Sequence, residues 1–449
     1  MKTNMIFSVS FAALAATALS AVPSIDASSI TISKDAATGL VTVDYKLVDA
    51  PGVVTVAFET NVAADASGAW APVDDRAASF VSGDVNRFLT NGDDVKRIYW
   101  QPGQGLPQVD IPANCLRAKV TAWAPDDPPD YAVIDLICTN DYRYYASAEA
   151  IPFTVGHRMY KTDKIVLRRI PAKEVTWRMG SHKDEAYRER GGAYPGSEEP
   201  RYVTLSEDYY MGIYEVTKEQ YRHLMGIAPG TWGGEYGGAK IAPVLPVEYI
   251  SYYALRGDDT DSFKGWPDAE HDVVPNSVLG KIRAYTGIEF DLPTEAQWEY
   301  ACRAGTGEAL YTGRHLTSNS GYCANLAEIA WYASHKPTTE TLPDGSKVEI
   351  FEVGLLPPNN WGLYDMLGNV SEHCLDRTDL EKNPGTLDMS ARDPKGLKPS
   401  DSITLCVIRG GSTVAGASIT TSAARDDRPY NRGIKYTGFR LCAPAMAMR

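Results

Sequence analysis

Asp365 and Glu372 stand seven positions apart in the stretch Asn359 to Glu372, which also holds several amides, two glycines and an apolar run. The Gly368-Asn369 pair between them interrupts any regular helix or strand, so the backbone can curl and turn its carbonyls inward. That is the layout of a calcium loop, because Ca²⁺ takes six to eight oxygens from carboxylates and backbone carbonyls. A turn carrying two solvated acids has the same spacing, and the residues alone leave both readings open.

Other chemistries lack their residues. None of the seven cysteines forms a C-x-x-C pair, so zinc-ribbon and thioredoxin-type sites have no spacing to stand on. The seven histidines, from His157 to His373, are dispersed, and no G-x-S-x-G elbow, P-loop or H-E-x-x-H occurs. A net charge of −13 argues against nucleic-acid or anionic-membrane partners.

The elements that must position these residues are legible in part. At 449 residues the chain exceeds one core, and two domains are expected, over 25–150 and 160–449. In the first, Val41, Val43, Tyr45 and Leu47 alternate with polar residues, and Val54, Val56 and Phe58 repeat the pattern after Ala50-Pro51-Gly52, as in a hairpin. Leu116 to Ala122 and the apolar run Tyr131 to Ile137 read as a second hairpin, flanked by Cys115 and Cys138. The expected fold of this region is an immunoglobulin-like β-sandwich. The C-terminal region opens with strands at Lys164 to Ile170 and Val175 to Ser181. Capping boxes at Thr217/Gln220 and Thr294/Gln297 predict two helices, the first ending near Met225, and a third follows Pro246 to Tyr252.

Met1-Lys2, the apolar run Ile6 to Ala18 and small residues through Ala21 read as a secretory signal peptide spanning 1–21. That segment is shorter than the ~20 apolar residues a membrane span needs. A secreted, periplasmic or cell-surface protein is the expectation, in a compartment where disulfides form.

Leu363 to Glu372 resembles the GLYDMxGNVWEW signature of formylglycine-generating enzyme and its sulfatase-modifying-factor relatives. Met211 to Thr217, Leu292 to Arg303, Arg409 to Ser412 and Gly438 to Arg440 match further motifs in family order. The resemblance covers residues 160 to 445 and implies an α+β, C-type-lectin-like, loop-rich domain. It implies a calcium held by Asp365, the carbonyls of Gly368 and Val370, and Glu372, and a second at Asn325 and Leu326, whose acidic partner has no counterpart near Ala330 to Ala333. It implies a Cys302–Cys442 disulfide. It also places the family's two Cu(I)-binding thiols at Ala415 and Thr420, where no sulfur stands, and no cysteine occurs between Cys406 and Cys442. Ser371 replaces the signature's tryptophan.

These readings lead to a calcium-stabilised, non-catalytic recognition module for a glycan or peptide, with Ser412, Arg425, Arg428 and Tyr430 as pocket residues and Tyr436, Trp361, Trp331 and Arg432 beside them. An oxidase acting on a cysteine thiol through a rearranged metal site is the alternative, and an envelope adhesion module a third. Copper is not expected.

Overall fold

Apolar side chains that recur every second residue force strands, and the computed structural model shows how these strands are shared out. It describes residues 22–61, 63, 65–73, 80–92, 94–105, 111–138, 141–188, 196–226, 242–257, 273–337, 349–379, 392–396 and 405–446; the signal-peptide segment lies outside the described residues.

Near the N-terminus two antiparallel sheets share one core. The first runs Thr31–Lys34, Val41–Tyr45, Lys96–Trp100, Val81–Gly83; the second runs Leu116–Trp123, Gly52–Asn61, Trp70–Pro72, with Arg87–Leu89 also on Gly52–Asn61. Val43 and Ile98 from one meet Val54 and Val120 from the other, and Phe58 stacks on Trp100 at 4.2 Å. Both expected hairpins are corrected here. Val41–Tyr45 and Gly52–Asn61 lie in opposite sheets, because each has a buried face that the other covers. Leu116–Trp123 pairs with Gly52–Asn61 rather than with the strand after it.

Tyr131–Asp135 and Tyr142–Tyr145, read above with the first domain, belong to a five-stranded sheet of the C-terminal region. Its order is Tyr142–Tyr145, Tyr131–Asp135, Lys164–Ile170, Tyr209–Gly212, Cys442–Pro444. The sheet is buried on both faces: Val133, Val166 and Met211 enter one core, while Ala132, Ile134, Ile165, Leu167 and Tyr210 enter the other. A strand covered on both sides needs apolar residues at consecutive positions, which Ala132, Val133 and Ile134 supply.

The helices form where the capping boxes lie. Lys218–Met225 starts at Thr217 with both reciprocal bonds to Gln220, and Glu295–Arg303 starts at Thr294 with both to Gln297. Tyr252–Arg256 is the expected third, and Val278–Thr286 adds one between Ser277 and Gly287. Helix Glu295–Arg303 packs against a four-stranded sheet ordered Asp426–Pro429, Leu405–Arg409, Ser371–Thr378, Thr437–Gly438. The described residues thus make a mixed α/β protein, rich in sheet and poor in helix.

Candidate functional site

The stretch Asn359 to Glu372 is held from both ends. Asn359 donates to the carbonyls of Ala301 (2.7 Å) and Cys302 (3.1 Å), closing the C-terminal turn of helix Glu295–Arg303, and accepts from the amides of Trp361 and Leu363. Asp365 and Asn369 take left-handed backbone angles, φ 52° and 54°, and Gly368 takes φ 84°. A side chain at Gly368 would place its Cβ 2.3 Å from the Trp331 carbonyl oxygen, so only glycine fits that approach.

The curl gathers a buried charge cluster. Arg440 donates to both Glu372 oxygens at 2.7 to 3.2 Å and to the carbonyls of Gly212 (2.9 Å) and Tyr364 (2.8 Å). The Trp298 indole donates to Glu372 Oε2 at 2.7 Å. Glu215 accepts from the Asn369 amide (2.7 Å) and the Val370 N–H (3.1 Å), and Asp365 accepts from the Gly354 N–H (2.6 Å). Burial raises Glu215 well above the usual carboxylate range, with Asp365 and Glu372 adding repulsion, and burial pushes Asp365 up to about 6.

Of the four calcium donors expected above, the carboxylates of Asp365 and Glu372 both lie in this buried cluster. The charge facing Glu372 is the Arg440 guanidinium. The second expected set lies elsewhere in the domain. Asn325 donates to the His315 carbonyl (2.9 Å) and accepts from Arg314 (3.2 Å), which is itself paired with Glu328, while Leu326 is buried in the core.

No disulfide joins any of the seven cysteines, so the Cys302–Cys442 bridge is not formed. Cys302, on its helix, points its sulfur at Ser422 Oγ (3.7 Å), whereas Cys442, on an inner strand, points at Gln297 Oε1 (3.9 Å). Burial pushes the Cys302 and Cys406 thiols up to about 12, which keeps them protonated. Neither Cys115–Cys138 nor Cys374–Cys406 is bonded.

Behind this cluster the Gly-Gly-Ser turn opens a small cavity of about 170 Å³. Ser412, Arg425 and Arg428 line it together with Ser371, Val414 and Ala415. Tyr430 does not: its ring packs on Tyr253 at 4.7 Å and under the Arg377 guanidinium at 4.6 Å. Arg425 forms the wall through a two-point pair with buried Glu295 (2.5 and 2.8 Å), so its charge is spent on the fold. Arg428 is part-exposed and pairs with Asp426 at 2.8 Å. Thr420 lies behind the Gly-Gly-Ser turn: its hydroxyl donates to the Gly416 carbonyl (2.9 Å), and a Cβ on Gly411 would lie 2.5 Å from the Thr420 hydroxyl oxygen. Ala415 also accepts at its carbonyl from Ala333 N–H (3.0 Å), which ties the pocket to the Trp331 segment.

The model of the sulfatase-modifying factor enzyme 1-like domain matches residues 170–445, more than half of the chain. The chain belongs to this family. Chaperone protein LppX of Paenibacillus barcinonensis is 30% identical over 228 residues, 46% of this chain and 75% of that protein. Formylglycine-generating enzyme of Thermomonospora curvata is 27% identical over 289 residues, 60% of this chain and 90% of the enzyme. Among solved structures, Treponema denticola variable protein 1 aligns with a TM-score of 0.45 at 22% identity, over 65% of this chain and 98% of that one.

Within the family domain, sequence reasoning brought together Ser412, Arg425 and Arg428 and missed the partners of the signature loop. Glu215, Trp298 and Arg440 all lie inside motifs quoted for the resemblance. A charged residue set in an apolar run, as Glu215 is between Tyr214 and Val216, was the available signal.

Proposed function

We propose that this family member is a recognition module that binds a polypeptide segment at the Ser412 pocket, without oxidising it. The observation that carries the reading is the pocket wall: Ala415, where the resemblance puts a copper thiol, lines a cavity whose polar side chains are two serines, three arginines and an aspartate, with no sulfur among them. A thiolate-bound Cu(I) needs soft ligands, and neither Ala415 nor Thr420 supplies one. The choice of polypeptide over glycan draws on LppX, whose name makes it a chaperone. Loops on a sheet-rich base suit such binding, because a rigid scaffold presents variable side chains.

In this reading residues 1–21 direct export, and no helix among the described residues is long and apolar enough to cross a membrane. The N-terminal sheets, taken as an immunoglobulin-like unit, hold the family domain away from its point of attachment.

The test against oxidase activity uses the mature protein, Cu(I), O₂ and a peptide carrying Cys-x-Pro-x-Arg. Mass spectrometry is expected to return the peptide unchanged. Conversion of its cysteine to an aldehyde would replace this reading with the oxidase.

A further inference from the structure

We propose that the cleft between the N-terminal sheets and the family domain is a binding site for a neutral oligosaccharide. The cleft encloses about 590 Å³, inside the ~300–1,000 Å³ typical of small-molecule sites, which gather at such seams. Ser82 and Tyr99 reach it from two neighbouring strands of the first unit, and Arg143 from the edge strand Tyr142–Tyr145 of the five-stranded sheet. It is separate from the Ser412 pocket and does not depend on the reading given there.

Two of its aromatic rings face water. Tyr99 is 37% exposed and Phe153 52%, and Phe80 meets Phe153 edge to face at 5.6 Å. Phe153 and Thr154 both hold left-handed backbone angles, φ 65° and 72°. A bulky and a β-branched residue rarely adopt that conformation, and strain of this kind collects at ligand sites. Here it holds the Phe153 ring outward at the cleft.

The polar lining is balanced in charge. Asp135 pairs with Lys164 and Asp141 with Arg143 (2.9 Å), and these four are the charged residues of the wall. A charged ligand therefore meets no net opposing charge, while a wholly apolar one would strip water from the part-exposed Asp141–Arg143 pair and from Gln101 and Gln104 without replacing it. A sugar answers both surfaces. Its C–H face lies on an aromatic ring, and its hydroxyls both donate and accept, matching the amides of Gln101 and Gln104, joined at 2.8 Å, and the forked groups of Asp141 and Arg143. An added peptide strand is less suited, because the Tyr144 N–H of the edge strand already donates to the Asn86 carbonyl at 2.8 Å.

Titration calorimetry on the full mature chain tests this with cellotriose, maltotriose, xylotriose, mannotriose and chitotriose, and with trigalacturonate as the anionic comparator. At least one neutral trisaccharide is expected to bind. Tyr99→Ala and Phe153→Gly, the latter compatible with the left-handed backbone, should each weaken that sugar at least about tenfold. Tyr202→Ala, an exposed ring outside the cleft, should leave it unchanged. Failure of every neutral trisaccharide to bind at millimolar concentration, equal binding of trigalacturonate, or undiminished binding by both ring variants would overturn the proposal. So would displacement of the sugar by an unfolded polypeptide, which would make the cleft a peptide site.

Discussion

Arg440 is fully buried and ties four pieces of chain together: Glu372, the Gly212 carbonyl, the Tyr364 carbonyl and, through Glu372, the Trp298 indole. Removing one partner of a buried pair leaves an uncompensated charge, which costs roughly 3–5 kcal/mol. Arg440→Met is expected to lower stability by about that amount in urea unfolding, and a loss under about 1 kcal/mol would contradict the role given to it. Asp376 carries a second residue-scale prediction. It accepts from the Glu295 N–H at 2.6 Å, and burial followed by the Glu295 charge pushes its carboxyl up to about 8. A folded-state value above the unfolded one means the native protein holds the extra proton, so stability falls as pH rises from about 4 towards 8. Asp376→Asn keeps the acceptor without the charge, and should be more stable than wild type by at least ~1 kcal/mol at pH 8.5, with the advantage gone at pH 4. Equal stability at both pH values would contradict the assignment. Sequence spacing marked Asp365 and Glu372 as a pair of acids in a curl, and the curl is there. It could not reveal that a guanidinium more than sixty residues away faces Glu372, since that partner is set by the fold.

At the scale of elements, local signals that act within one turn were the most legible. The helices at Thr217 and Thr294 begin at their capping boxes because the reciprocal bonds involve residues three apart. Thr294→Ala removes the acceptor for the Gln297 N–H at 3.2 Å and should cost about 1 kcal/mol in thermal or urea unfolding. An unchanged midpoint would show that packing alone sets that helix start. Strand partners were less legible. Alternation marks a strand with one buried face but not which neighbour it pairs with, so two hairpins were expected where the chain instead crosses between sheets. The consecutive apolar residues Ala132, Val133 and Ile134 differ from the alternating strands around them, and that difference was the sign of a sheet covered on both sides. Helix Val278–Thr286 carried its own signals in Ser277, whose hydroxyl accepts from the Gly280 N–H at 3.0 Å, and in Gly287 at φ 70°.

For the whole molecule, the sheet pairing moves the seam between the two units to the proline-rich turn near 124–130. Residues 131–145 supply two of the five strands of the family domain's sheet. A fragment beginning at residue 125 should therefore unfold cooperatively, whereas one beginning at 155 would expose the apolar edge of Lys164–Ile170 and should not; cooperative melting of the shorter piece would contradict that seam. The family fold was legible because its motifs are short and ordered along the chain, and three of the four residues named for a pocket line one cavity. Tyr430 was misplaced because its ring packs inward. The measurement that bears most directly on the proposed function is calorimetric titration of the mature protein with a permanently unfolded polypeptide, reduced and carboxymethylated α-lactalbumin, against a Ser412→Trp variant of unchanged melting temperature. The pocket reading predicts that the wild type binds and that filling the cavity weakens binding at least about tenfold. No binding by the wild type, or equal binding by the variant, would contradict it.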